Sequence, residues 1–211
     1  MQTMALRMRR KGIQVFIIAP LKGHEFYRAA RNVGGEFIQI SPASKNCINI
    51  MEIRKVDNSV NELLDGPTLD ASALAGKIQR LHIFFSLLIP DMSHEEKQLL
   101  DEALIKTYAR KGITHKNESL TDPQHPEQYK KMPILEDVYN VLLESEDTKR
   151  LAHILNRLVH GSASSFNQPT NVDLTNKYTV LDISELTGSS DLLTVGMFVA
   201  LDYVWDKAKE N

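Results

Sequence analysis

Three residues able to handle a proton or a phosphate follow an apolar run: Lys22, His24 and Glu25 come just after I-Q-V-F-I-I-A-P (Ile13–Pro20). Open α/β sheets receive ligands in the loops at the carboxyl ends of their strands. There, Glu25 could orient a water or sense a terminal phosphate. The plainer alternative is a solvated turn in which Glu25 is favoured near a helix N-terminus. A second polar set, Thr170, Asn171 and Asp173, precedes another strand-like run. Such side chains either approach a ligand or a neighbouring subunit, or bond their own backbone as turn formers. A third set is basic: Arg7, Arg9, Arg10 and Lys11 could each meet a DNA phosphate without regard to base sequence, or simply form a solvated helix end.

Other chemistries find no support. His94-Glu95-Glu96 is not H-E-x-x-H, and His153 and His160 have no carboxylate set beside them, so no metal site is expected. Ser162, Ser164 and Ser165 lack a G-x-S-x-G elbow. Cys47 is the single cysteine, which excludes an internal disulfide and a thiolate cluster and fits a reducing, cytoplasmic setting. No residue is assigned a catalytic role. The net charge of -2 argues against wholesale nucleic-acid binding while admitting a local basic patch. No run approaches the roughly 20 apolar residues that span a bilayer, and Met1 to Arg10 has no following apolar stretch of the signal-peptide kind. Direct membrane insertion is therefore not expected; contact with the inner face of the membrane would come through partners.

The elements that must position these residues are legible from periodicity. Met1 to Lys11 reads as the last turns of a helix stopped by Gly12. Ile13 to Ala19 is a strand covered on both faces, His24 to Val33 a helix broken by Gly34-Gly35, and Glu36 to Ser41 a second strand. Cys47 to Ile53 reads as a short third strand. From Asp70 the period changes: Leu74, Ile78, Leu81, Phe85 and Leu88 form one helical stripe ended by Pro90, and Ser93-x-x-Glu96 is a capping box for the next helix. Gly112 to Met132 reads as a long mobile loop. Helices follow over Ile134 to Glu144 and Thr148 to His160, then a turn-rich linker, a strand over Tyr178 to Ser184, and an amphipathic helix over Leu192 to Lys209 carrying Val195, Phe198, Val199, Val204 and Trp205. The organisation is α/β over residues 1–66, a helical insertion over 67–165, and a return to α/β over 166–211 that completes the first sheet.

The order of these pieces resembles one family. Leu6 to Pro20, Gly34 to Pro42 (G-G-E-F-I-Q-I-S-P) and Ile48 to Ile53 (I-N-I-M-E-I) resemble the stretch after the phosphate loop in conjugative-transfer ATPases, the TraC/TraE-like motors of type IV secretion. Gly161 to Leu174 and Val180 to Leu186 (V-L-D-I-S-E-L) resemble the segment before that family's Walker B strand. The resemblance implies part of a RecA-like P-loop NTPase sheet with an all-α insertion lobe. It implies ATP and magnesium in the intact motor, a homo-oligomer, secretion-channel partners, and DNA as a partner. It also implies a G-x-x-x-x-G-K-[ST] loop ahead of the first helix and an Asp-Glu strand beyond the last. Neither occurs in these 211 residues, and a phosphate cradle contributes backbone N–H groups, a lysine and a magnesium-binding hydroxyl. No cofactor is expected in this chain alone, and it should not hydrolyse ATP. Two positions depart from the family: where relatives carry Asp-Pro-x-x-Glu-Tyr, Ala19-Pro20 and Glu25-Phe26 stand, and the usual Asn-Pro reads Asn49-Ile50. The rival readings are a non-catalytic protein–protein or DNA interaction module and a DNA-pumping ATPase of the FtsK/HerA type.

Overall fold

The computed structural model describes residues 2–54 and 72–209; the expected boundary between residues 66 and 67 lies outside the described residues. α1 (Gln2–Arg10) gathers Arg7, Arg9 and Arg10 in its last turn, and Gly12, at φ 83°, takes the left-handed conformation that stops it. β1 (Val15–Ala19), α2 (Gly23–Asn32) and β2 (Glu36–Gln39) follow. α3 (Ala73–Leu88) starts at Ser72, whose hydroxyl accepts from the Ala75 amide. The capping box at Ser93 forms as the sequence implies and opens α4 (His94–Arg110). α5 (Leu135–Leu142) and α6 (Lys149–Val159) complete the helical lobe.

Two expectations are corrected. The stretch from Gly112 to Met132 is not an unstructured loop: a short 3₁₀ turn, Asn117–Leu120, leads into a hairpin of β3 (Thr121–Asp122) and β4 (His125–Tyr129). Cys47 to Ile53 is not a strand. It is buried at nearly every position yet pairs with no strand among the described residues.

The return to α/β supplies β5 (Tyr178–Asp182) and α7 (Ser190–Lys209). β5 enters between the two earlier strands, giving the order β1-β5-β2 with both pairs parallel. All five of its residues are buried, as expected for a strand with helices on both faces. On one face, Ile17, Ala19, Tyr178 and Val180 pack under Ala5 of α1 and Ala30 of α2. On the other, Ile38 and Leu181 join the core that continues through α7 and the helical lobe, including Leu81, Phe85, Leu104, Leu155 and Val199. Sheet and insertion thus share one apolar core. Among the described residues no helix is long and apolar enough to cross a membrane.

Candidate functional site

Because all three strands are parallel, their carboxyl ends lie on one edge, and Lys22, His24 and Glu25 sit there in the turn from β1 into α2. Lys22 is the only non-glycine residue with positive φ (58°) among those described. Left-handed backbone at a lysine costs on the order of 1–3 kcal/mol and tends to be kept where a site needs it. Gly23 has a steric reason: a Cβ there would overlap the carboxyl group of Asp182, at the end of β5. The Asp182 carboxylate, almost fully buried, thus lies against the first turn of α2, where the helix dipole favours a negative charge. Its Oδ1 also accepts from the Ser184 amide (3.0 Å). Glu25 pairs loosely with Lys22 (3.8 Å), both largely exposed, a contact worth little in water. On the β2 side the edge is closed by Gln39 donating to Glu185 (2.9 Å).

Thr170 and Asn171 are not at this turn. They are clamped onto residues 45–52, of which Cys47 to Met51 are buried, beyond the end of β2. Asn171 Oδ1 accepts from the Cys47 amide (2.7 Å), its Nδ2 donates to Lys45 O (2.6 Å), and its own amide donates to Cys47 O (3.1 Å). Thr170 Oγ1 accepts from the Asn49 amide (2.9 Å) and donates to Glu52 (2.5 Å). Both residues also line an open cleft of about 670 Å³ with Ser44 and Ser165. Asp173 lies apart from them: it accepts from the Thr175 amide and hydroxyl, and its charge raises the pKa of Glu36 at the start of β2, after burial as the larger cause. The six nucleotide-edge candidates therefore fall into three places.

Beside the buried segment 47–53 lies a dense cluster of charged side chains, which the sequence reading did not pick out. Asn49 is the segment's hub: Nδ2 donates to Pro133 O (2.8 Å), Oδ1 accepts from the Met51 amide (3.0 Å), and its carbonyl accepts from Arg54 (3.2 Å). Lys77 Nζ donates to Ile50 O (3.2 Å) and Tyr108 donates to Met51 O (2.5 Å). Lys77 is ion-paired with Asp202 (3.3 Å), and Arg80 bridges Asp202 (2.9 Å) and Asp206 (2.6 Å). Arg54 reaches Asp206 at 3.0 Å and lies 4.4 Å over the Tyr203 ring. Burial pushes the Lys77 amine down to about 8, against the pull of Asp202, with Arg54 and Arg80 adding repulsion. For Asp202 burial acts upward, but Lys77, Arg80 and Arg54 outweigh it and hold the carboxyl below its ordinary value. Three cations thus share Asp202 and Asp206, and Arg54 has a further carboxylate in Glu52 (3.3 Å).

A faint signal for this cluster exists in the sequence. Lys77 falls between Leu74, Ile78 and Leu81 on the inward face of α3, and Asp202 and Asp206 continue the inward register of Val195 and Val199 on α7. Opposite charges at core positions of two helices can be buried only against each other. Trp205, assigned to the apolar face of α7, instead lies 62% exposed because the two aspartates take that face inward. Arg7 and Lys11 are exposed on and just beyond α1, whereas Arg9 and Arg10 line a cleft with Lys177. Among the described residues there is no group of three or more His, Cys, Asp or Glu that could hold a metal ion.

No family model matches the sequence, and no curated protein matches it. Among solved structures the chain is similar to VirB4 of Thermoanaerobacter pseudethanolicus, with a TM-score of 0.81 and 25% identity, over 100% of this chain and 74% of that one. The parallel three-stranded sheet and its helices match part of the RecA-like ATPase fold of VirB4.

Proposed function

We propose, from the placement of this chain with the VirB4/TraC ATPases of type IV secretion that the whole-length likeness supports, that it forms the part of the motor domain between the phosphate-binding loop and the Walker B strand. The intact motor would hydrolyse ATP to drive transfer of DNA or protein, working as a homo-oligomer against secretion-channel proteins. The observation that carries this reading is the full-length match together with the sheet order, in which a late strand enters between two early ones as one unit with the helical insertion.

The described residues do not by themselves fit ATP and magnesium. The first turn of α2 is faced by the Asp182 carboxylate rather than open to an anion, and the sequence has no G-x-x-x-x-G-K-[ST] loop of the kind that offers a nest of backbone N–H groups with a lysine and a hydroxyl. Phosphate binding would come from residues elsewhere in the motor, and this chain would contribute its carboxyl edge: Glu25 as a polar group facing the nucleotide, with the Lys22 amine and the His24 imidazole beside it. Two measurements test the proposal. Deleting the coding sequence in its native host should abolish conjugative or secretory transfer; unchanged transfer overturns it. Calorimetric titration of this chain alone with Mg-ATP should show no binding, and micromolar affinity would mean that the site has been placed in the wrong part of the motor.

One feature favours a second reading, a docking module. Leu87 on α3 and Leu193, Met197, Phe198 and Leu201 on α7 line an apolar surface groove. If substitutions there abolish transfer while ATP hydrolysis by the full motor is unchanged, the docking role stands beside the catalytic one.

A further inference from the structure

The amino edge of the sheet, opposite the turn that holds Lys22 and Glu25, carries a different chemistry. A cleft of about 260 Å³ opens there between the ends of α1 and α2, lined by Leu6, Arg9, Arg10, Val33 and Lys177. Its frame is fixed by hydrogen bonds between distant segments. The Val15 amide donates to Lys177 O (2.9 Å), Gln14 Nε2 donates to Leu174 O (2.8 Å), and Asn176 Nδ2 donates to Gly34 O (3.1 Å). Lys177 is thereby held at the start of the central strand, between the starts of β1 and β2.

Most arginines of the helical lobe have carboxylate partners: Arg80 has two, Arg110 has Glu144, and Arg150 has Asp91 and Glu96. Among the described residues no ion pair joins Arg9, Arg10 or Lys177 to a carboxylate. The carboxyl ends of the two helices do not account for the surplus. Each helix end presents about half a negative charge, about one charge in all, whereas three cations line the cleft and Arg31 lies in the last turn of α2. Tyr178, next to Lys177, does not line the cleft but is close enough to Arg9 to feel its charge, and its hydroxyl is buried with no hydrogen-bond partner among the described residues. Buried hydroxyls are rarely left so.

We propose that this cleft is a phosphate-binding site that takes a backbone phosphate of a nucleic-acid strand. Surplus positive charge, guanidinium forks and an apolar floor of Leu6 and Val33 suit a phosphodiester, and the contact is blind to base sequence. The site does not depend on the ATPase reading, since it lies on the opposite edge of the sheet.

The test is binding of a labelled single-stranded oligonucleotide of mixed sequence to this chain, by fluorescence anisotropy, at salt from about 50 to about 200 mM. Arg9→Ala with Arg10→Ala, and separately Lys177→Ala, should each weaken binding by about tenfold and flatten the salt dependence by about one unit of slope per contact removed. Arg10→Glu, at an exposed position, serves where the double variant fails to fold. Lys97→Ala and Lys116→Ala, which remove cations away from the cleft, should leave affinity within about twofold. Equal weakening in cleft and control variants, or no binding by the intact chain, overturns the proposal. Inorganic phosphate that protects the Lys177 and Arg9 amides while the oligonucleotide does not bind would identify free phosphate as the source and overturn the strand assignment.

Discussion

Lys77 holds the least comfortable position in the molecule, and its energetics can be measured. Its amine is buried among two arginines and two aspartates. Removing Asp202 would leave Lys77 and Arg80 short of countercharge in a dry site, so Asp202→Asn should cost about 3–5 kcal/mol in urea unfolding. Lys77→Met keeps much of the volume and leaves Arg54 and Arg80 with both aspartates; it should cost less than about 1 kcal/mol, or stabilise. If the two variants are equally damaged, the cluster is not organised around Asp202. A pH dependence follows from the same residue. The folded-state value of Lys77 is about 8, below the ordinary 10.5, so between these values the unfolded chain binds more protons and stability rises with pH. Below about 8 both states are protonated and the contribution is flat. The stability difference between wild type and Lys77→Met should therefore shift in favour of wild type from pH 8 to pH 10, and a difference that does not change with pH would show that the amine is not strained.

At the scale of elements, residues 47–53 show how a buried segment can do without a partner strand. The amides of Cys47 and Asn49 and the carbonyls of Asn49, Ile50 and Met51 are bonded by side chains from four directions: Asn171 and Thr170 from the linker, Lys77 from α3, Tyr108 from α4 and Arg54 from its own end. The apolar, β-branched composition that suggested a strand reflects burial alone. What decides the backbone state is the set of hydrogen-bond partners, and those lie more than 120 residues away for Cys47 and Asn49. Asn171→Ala would leave the Cys47 amide unpaired in the interior. The expected cost is about 1–3 kcal/mol, with faster hydrogen exchange at Cys47 than at core positions such as Leu104; unchanged protection at Cys47 would show that the clamp is dispensable. The helices were easier to foresee. Ser93 and the stripe from Leu74 to Leu88 act through neighbours within four residues.

For the whole molecule, the sheet order has a physical consequence. β5 is paired on both sides, but among the described residues β1 has no partner strand on its outer side. That edge reads V-F-I-I-A, with none of the charges or prolines that discourage edge-to-edge pairing. The exposed Leu201 and Trp205 add apolar surface on α7, which packs across β1. The isolated chain should therefore self-associate with rising concentration in analytical ultracentrifugation, and a monomer that persists at high concentration would count against an open β1 edge.

The α/β–helical–α/β order, most helix limits, the capping box at Ser93 and the candidate turn after β1 could all be read from the residues, because each depends on spacing and on contacts within a turn or two. The sequence also carried the family resemblance, through the order of its segments. Tertiary structure alone decided the rest. It separated Thr170 and Asn171 from Glu25, set Asp182 against Gly23, joined Asp202 and Asp206 to Lys77, Arg80 and Arg54, and brought Lys177 beside Arg9 and Arg10. Each of these joins residues far apart in the chain, where the outcome depends on which buried donor finds which acceptor, and periodicity along the sequence carries no record of that pairing.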